Sequence, residues 1–154
     1  MRHIAFVCSG NICRSPMAEG IAREMLGKLE YPAEVSSAGT LGIVGQPAIE
    51  LAVKAVFMLG IDVTEHRSRG LSPGYLQAAS HVVVMEEDHA RIAQFMESAC
   101  AEKIVRLWEY TSEPGRLVEI SDPIRGDLEV FVACRDNLLE CLRNWVAELA
   151  DVSE

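Results

Sequence analysis

A cysteine and an arginine separated by five residues can form a nucleophile beneath an anion cradle, provided the chain between them turns its amides inward. The segment Cys8-Ser9-Gly10-Asn11-Ile12-Cys13-Arg14-Ser15 offers that set. A short apolar run, 3–7, precedes it, and Pro16 suits the first turn of a helix, where its missing N–H is not needed. Loop amides at a strand-to-helix junction can point at an anion, and the helix dipole adds positive potential. Gly10 and Asn11 are the residue types that tolerate the positive φ of a tight amide nest. Arg14 can close over the nest and hold two oxygens of a tetrahedral oxyanion. The same field favours a thiolate at Cys8, and the Ser15 hydroxyl can donate to its sulfur. Cys8 is thus the expected nucleophile toward phosphorus, with Ser9, Gly10, Asn11, Ile12, Cys13, Arg14 and Ser15 as the expected phosphate-binding loop.

Spacing alone is weak evidence. Cys100 and Arg106 share it, yet Ala101-Glu102-Lys103-Ile104-Val105 lies between them. There is no glycine, an acid stands where an anion would sit, and the segment ends in a strand. This second pair is expected to be inert. The five cysteines (Cys8, Cys13, Cys100, Cys134, Cys141) make an odd count without a CxxC pair or zinc-like Cys/His spacing. That is a poor disulfide framework, and it predicts a reducing compartment and no metal. Cys134 and Cys141, seven apart in a helical pattern, read as buried small hydrophobes.

The elements that must position the loop alternate in type. Residues 3–7, 34–38, 81–85 and 103–107 read as short strands, the third carrying three consecutive valines. A helical stripe of Met17, Ile21, Met25 and Leu29 predicts a helix over 16–29, and further helices are expected over 47–59 and 86–100. Residues 61–63 are expected to be extended. Phe131, Cys134, Leu138, Leu142, Trp145 and Leu149 recur at threes and fours in a last helix, with Asp127 at its N-cap. Strands alternating with helices imply an α/β three-layer sandwich with a parallel sheet, whose ligands bind at the carboxyl ends of the strands.

At 154 residues, 49% hydrophobic and 24% charged, the chain fits one domain, 1–154, with an ample core. No apolar run approaches a membrane span, and the N-terminus does not read as a signal peptide. A net charge of −9 argues against nucleic acid or an anionic membrane as partner. Attraction for an anionic substrate must therefore be local.

The stretch Val7-Cys8-Ser9-Gly10-Asn11-Ile12-Cys13-Arg14-Ser15-Pro16-Met17-Ala18-Glu19 closely resembles the signature of low-molecular-weight protein tyrosine phosphatases. The similarity extends through Ser37-Ala38-Gly39-Thr40, His66-Arg67-Ser68-Arg69, 82–85 and Asp122-Pro123. It implies a four-stranded parallel sheet, no metal or other cofactor, and a phosphocysteine intermediate. By this resemblance Cys8 is the nucleophile, Arg14 and the loop amides bind phosphate, and Asp122 is the general acid. Asn11 and Ser15 carry over as supports of the loop and thiolate. His66 is implied as a buried brace for the loop asparagine, a surface histidine in a polar turn being the alternative. Cys13 matches a second loop cysteine that can form a reversible disulfide with the nucleophile; the other reading is that it packs behind the loop. Independently, Pro123 biases Asp122 toward an extended conformation, which suits a proton donor on a loop. His3, His81 and His89 receive no assignment, and Trp108 and Trp145 read as structural.

Tyrosine-specific members typically carry aromatic residues just after the Asp-Pro, and often another after Ser-Ala-Gly-Thr. Here those places hold Ile124-Arg125 and Leu41-Gly42-Ile43. The expected substrate pocket is accordingly Ile12, Leu41, Ile43, Ile124 and Arg125. Leu107-Trp108-Glu109-Tyr110 and Arg135-Asp136 resemble the bacterial branch that includes protein arginine phosphatases. Those carry threonine at the position of Ile12, and isoleucine cannot hydrogen-bond. Phosphotyrosine is therefore the expected substrate, with phosphoarginine as the alternative. Arsenate reductases of this fold need redox cysteines after the third strand, and 85–91 has none. A mere phosphopeptide-binding nest would have no need of Cys8 and Asp122 together, and a thiol redox sensor built on Cys8 and Cys13 would not need Arg14 or Asp122. The expectation is a cytoplasmic, metal-independent phosphomonoesterase acting as a monomer on phosphorylated proteins, with no nucleic-acid or membrane partner.

Overall fold

A computed structural model describes residues 1–152, in which short apolar strands alternate with helices. The elements are β1 (Arg2–Cys8), α1 (Arg14–Lys28), β2 (Ala33–Gly39), α2 (Glu50–Phe57), α3 (Pro73–Ala78), β3 (His81–Val84), α4 (Glu87–Met96), β4 (Ile104–Arg106) and α5 (Leu128–Val152). Two 3-10 turns, Ser98–Lys103 and Leu107–Tyr110, flank β4. The strands form one parallel sheet in the order β2-β1-β3-β4. Ile4, Ala5, Phe6 and Val7 of β1 and Val82, Val83 and Val84 of β3 are all sealed from solvent. A parallel sheet covered on both faces demands such unbroken apolar runs.

The chain steps from β1 to β2 on one side and from β3 to β4 on the other, and with the right-handed crossovers that parallel sheets use, α1 and α4 fall on opposite faces. α1 packs with α2 and α5, while α4 packs with α3 and the first 3-10 turn. The expected three-layer α/β architecture is the one found. Strand order reverses at β1, so the loop following it opens at the carboxyl edge, where a crevice forms. No helix among the described residues is long and apolar enough to cross a membrane.

Several boundaries differ from expectation, each for a local reason. α1 starts at Arg14, and its buried stripe uses Leu26 in place of Leu29, which is exposed past the helix end. α2 starts at Glu50 because Ile49 stays extended, its N–H donating to the Ile12 carbonyl at 2.8 Å. Residues 61–63 find no strand partner among the described residues. Ile61 and Val63 instead press on Gly20 of α1, where an added Cβ would lie 2.7 Å from a Val63 methyl. The expected helix over 86–100 breaks at Glu97, which is extended and caps the following 3-10 turn through the Ala99 N–H. α3 was not expected, although Ser72-Pro73 announces it: Ser72 accepts from the Tyr75 N–H at 3.2 Å. Asp127 does cap α5, accepting from the Val130 N–H at 3.2 Å. Cys134 and Cys141 are buried on α5, as is Trp145, edge-on to Phe6.

Candidate active site

The loop between β1 and α1 is organised by Asn11. Its φ of 59° is left-handed, a conformation that asparagine adopts more readily than other non-glycine residues. Gly10, also expected to adopt positive φ, does not. Every polar group of the Asn11 side chain has a partner. Nδ2 donates to Ser15 Oγ and Ser37 Oγ, both at 2.8 Å, and Oδ1 accepts from the Arg69 N–H at 2.9 Å. The Asn11 carbonyl accepts from His66 Nε2 at 2.7 Å, so His66, half-buried, braces the asparagine through its backbone. Ser37 passes its own hydrogen to Glu19 Oε1 at 2.7 Å. Buried polar networks hold one geometry when every member is satisfied, as here.

That geometry converges on Cys8. The Asn11 N–H donates to Sγ at 3.3 Å, and Ser15 Oγ lies 2.9 Å from Sγ. Because Ser15 already accepts from Asn11, its hydrogen is available to the sulfur. Gly39 of β2 lets this loop sit close: an added Cβ would lie 2.7 Å from the Ser9 carbonyl oxygen and 3.0 Å from the Asn11 nitrogen. Such distances exclude any side chain.

Arg14, first residue of α1, is 1% exposed. Its Nη1 donates to the Ile120 carbonyl at 2.8 Å and pairs with Glu86 Oε2 at 3.1 Å. Its Nη2 lies 3.4 Å from Ser9 Oγ and 3.6 Å from Asp122 Oδ2. Nε is buried and has no protein partner. Ile120 is in turn anchored just past the end of β3 through its N–H to the Met85 carbonyl at 2.9 Å. The arginine therefore ties the segment carrying Asp122 to the sheet. Asp122 is partly exposed, and its Oδ1 accepts from the Ile124 N–H at 3.1 Å.

A cavity of about 80 Å³ is lined by Cys8, Ser9, Gly10, Ile12, Cys13, Arg14, Leu41, Ile43, Asp122 and Ile124. The loop, the aspartate and four aliphatic walls thus meet in one place. Arg125 does not join them; it is exposed, because a turn closed by the Gly126 N–H on the Pro123 carbonyl carries it outward. Cys13 is buried against the cavity, and burial, with Asp122 and Cys8 nearby, pushes its thiol up to about 12. Among the described residues no cluster of three metal-ligating side chains occurs.

Sequence reasoning missed Glu86, His89, Ser37 as an Asn11 partner, and the Ile120 carbonyl. The two adjacent serines in the buried strand β2, Ser36 and Ser37, were a readable signal, since buried hydroxyls need partners. His89 and Glu86 carried none beyond a helix-start pattern.

Comparison with known proteins agrees with this geometry. Residues 3–153 match the family described as low molecular weight phosphotyrosine protein phosphatase. The protein-arginine-phosphatase of Bacillus subtilis (strain 168) is 32% identical over 146 residues, covering 95% of each chain. Low molecular weight protein-tyrosine phosphatase A of Mycobacterium tuberculosis (strain ATCC 25618 / H37Rv) is 35% identical over 153 residues, covering 95% of this chain and 92% of its own. The crystal structure of a low molecular weight protein tyrosine phosphatase from T. tengcongensis superposes with a TM-score of 0.87 at 32% identity, covering 96% of this chain and 99% of that one. A cysteine ringed by donors, a buried arginine beside it and a match along nearly the whole sequence point the same way, and the chain belongs to the low molecular weight phosphotyrosine protein phosphatase family.

Proposed function

We propose that the chain works as one catalytic domain that hydrolyses phosphotyrosine in proteins through a phosphocysteine intermediate. Arg14 carries this reading: a buried guanidinium whose Nε has no protein partner, set beside a sulfur that receives two donors. A buried N–H without an acceptor is costly, and a phosphoryl oxygen supplies one. Cys13 at the N-cap gives the first turn of α1 no side-chain acceptor, which leaves that helix terminus to the anion as well.

Cys8 Sγ attacks phosphorus in line, forming the S–P bond as the P–O bond to the tyrosine breaks. Arg14 and the loop amides take the equatorial oxygens, where charge spreads in the transition state. Asp122, at the rim of the same cavity, gives its proton to the leaving oxygen and then takes one from the water that cleaves the S–P bond. Asn11, Ser15 and His66 hold the loop in shape for both steps.

Ile12, Leu41, Ile43 and Ile124 suit the flat apolar body of a tyrosine ring. Ile12 offers no hydrogen bond to a guanidinium. Phosphoarginine is the second reading, favoured by the likeness to the B. subtilis protein-arginine-phosphatase. Cys13 lines the same cavity as Cys8, which keeps open both its packing role and a reversible disulfide with the nucleophile. The setting is the cytoplasm, and the enzyme acts as a monomer.

The test is phosphate release from matched phosphotyrosine and phosphoarginine peptides under reducing conditions, with Cys8→Ser as blank. Faster turnover of phosphotyrosine is expected. Faster turnover of phosphoarginine overturns the substrate reading while leaving the nucleophile in place. In the same assay Asp122→Asn should slow a poor leaving group more than an activated one, and an equal loss on both would assign that aspartate a structural role.

A further inference from the structure

His89 is the third residue of α4 and only 1% exposed, yet it lies outside the signature segments. Its Nδ1 accepts from the Glu86 N–H at 3.1 Å, which leaves the ring hydrogen on Nε2. Nε2 faces two acceptors at nearly equal range, Ser9 Oγ at 3.0 Å and Glu86 Oε2 at 3.1 Å. Those same two oxygens face the two ends of the Arg14 guanidinium, Glu86 Oε2 on Nη1 and Ser9 Oγ on Nη2. One N–H thus lies between two of the groups that face the arginine, the Ile120 carbonyl and Asp122 being the others.

From this arrangement we infer that His89 is a positioning residue for phosphate binding, bridging Ser9 and Glu86 so that Arg14 keeps one orientation and the Ser9 hydroxyl turns its hydrogen into the cavity. The second part follows from counting. Ser9 Oγ has two acceptor sites and one hydrogen, and His89 and Arg14 fill the acceptor sites. Its hydrogen has no protein acceptor among the described contacts and Ser9 lines the cavity, so a phosphoryl oxygen is the partner it fits. The ring does this while neutral. Burial and the Arg14 charge hold its pKa down to about 4, so it stays an uncharged donor at working pH and adds no second cation to compete for Glu86.

The inference rests on the phosphate-binding role of Arg14, and the test separates the two. Asparagine at this position keeps an oxygen where Nδ1 accepts from Glu86, but it falls short of Ser9. Glutamine places an N–H near the position of Nε2 and loses the helix cap. Inhibition by inorganic phosphate, kcat and Tm are measured on the wild-type protein, His89→Asn and His89→Gln. His89→Asn should weaken phosphate inhibition by roughly tenfold with Tm lowered by no more than about 4 °C. His89→Gln should stay within about threefold of wild type in phosphate inhibition even if its Tm falls further. Wild-type phosphate affinity in His89→Asn overturns the inference, as does a His89→Gln protein as weak as His89→Asn. Absence of phosphate inhibition in the wild-type protein would instead overturn the phosphate-binding role of Arg14 itself.

Discussion

The chain contains two cysteine–arginine pairs at identical spacing, and they end in opposite states. Cys8 closes β1 and Arg14 opens α1, so the five residues between them wrap into a loop whose donors face sulfur. Cys100 sits in a 3-10 turn, fully buried, and burial raises its thiol pKa. Arg106 ends β4, and its Nε and Nη2 grip both oxygens of Glu87 at 2.7 and 2.9 Å. Glu86 and Glu87 are neighbours, one serving each arginine. Arg106 spends its two-pronged edge, Nε and Nη2, on its glutamate. Arg14 meets Glu86 through Nη1 alone and keeps Nε free. What separates the two pairs is the strand-to-helix junction and the incomplete pairing of one arginine; spacing contributes little.

Paired substitutions test this contrast most directly. Cys8→Ala should lower turnover by about three orders of magnitude or more, as loss of a covalent nucleophile does. Cys100→Ala should keep turnover and lose about 1 kcal/mol of stability by urea unfolding. If both variants kept activity, the contrast would collapse. The arginines come next in size. Arg14→Lys should cost roughly 100-fold in kcat/KM, because an ammonium cannot reproduce a planar two-pronged hold. Arg106→Lys should stay within about threefold, its ion pair being distant from the chemistry and partly exposed. A large kinetic loss at Arg106 would show that Glu87 transmits strain to Glu86.

A further contrast lies in acid stability. His89 titrates near 4 in the fold, below its ordinary 6.5, through burial first and then Arg14. Asp88, Glu119 and Asp122 pull the other way without prevailing, and Glu86 lies against the ring. The unfolded chain therefore binds a proton that the folded chain refuses. Stability is full above about 6.5 and declines as pH falls toward about 4. His81, also lowered by burial and then Arg2, contributes in the same direction as pH falls below about 6.5. Urea midpoints across that range should fall less steeply for His89→Gln than for wild type. An unchanged slope would remove His89 as the source.

Much of this site was legible in the sequence because it is local. Cys8, Asn11, Arg14 and Ser15 lie within eight residues, and a strand on one side and Ser-Pro on the other place them. Asp122 was readable from the family resemblance, with the Asp-Pro step in support. What stayed hidden is non-local: Ser37, Arg69 and His89 reach the loop from 26, 58 and 80 residues away. Periodicity shows that a strand or helix end exists but not which side chain it aims at the loop. Arg125 failed for a related reason, since a single turn decides whether a residue next to the aspartate faces the cavity or water. α3 went unread because six residues are too few to display a period.

The four-way hold on Asn11 also bears on portability. Its left-handed backbone is kept by Ser15 on α1, by Ser37 on β2 and by His66 and Arg69 in the 66–69 segment. Grafting residues 8–15 onto another strand–helix junction would carry over Cys8 and Arg14 but leave behind the serine, the histidine and the backbone amide that complete the asparagine's partners. The bare Gly39 surface on which the loop lies would also be missing. Such a transplant would have the letters of the signature without its shape, and for this reason the unit that evolution can move is the whole sheet edge.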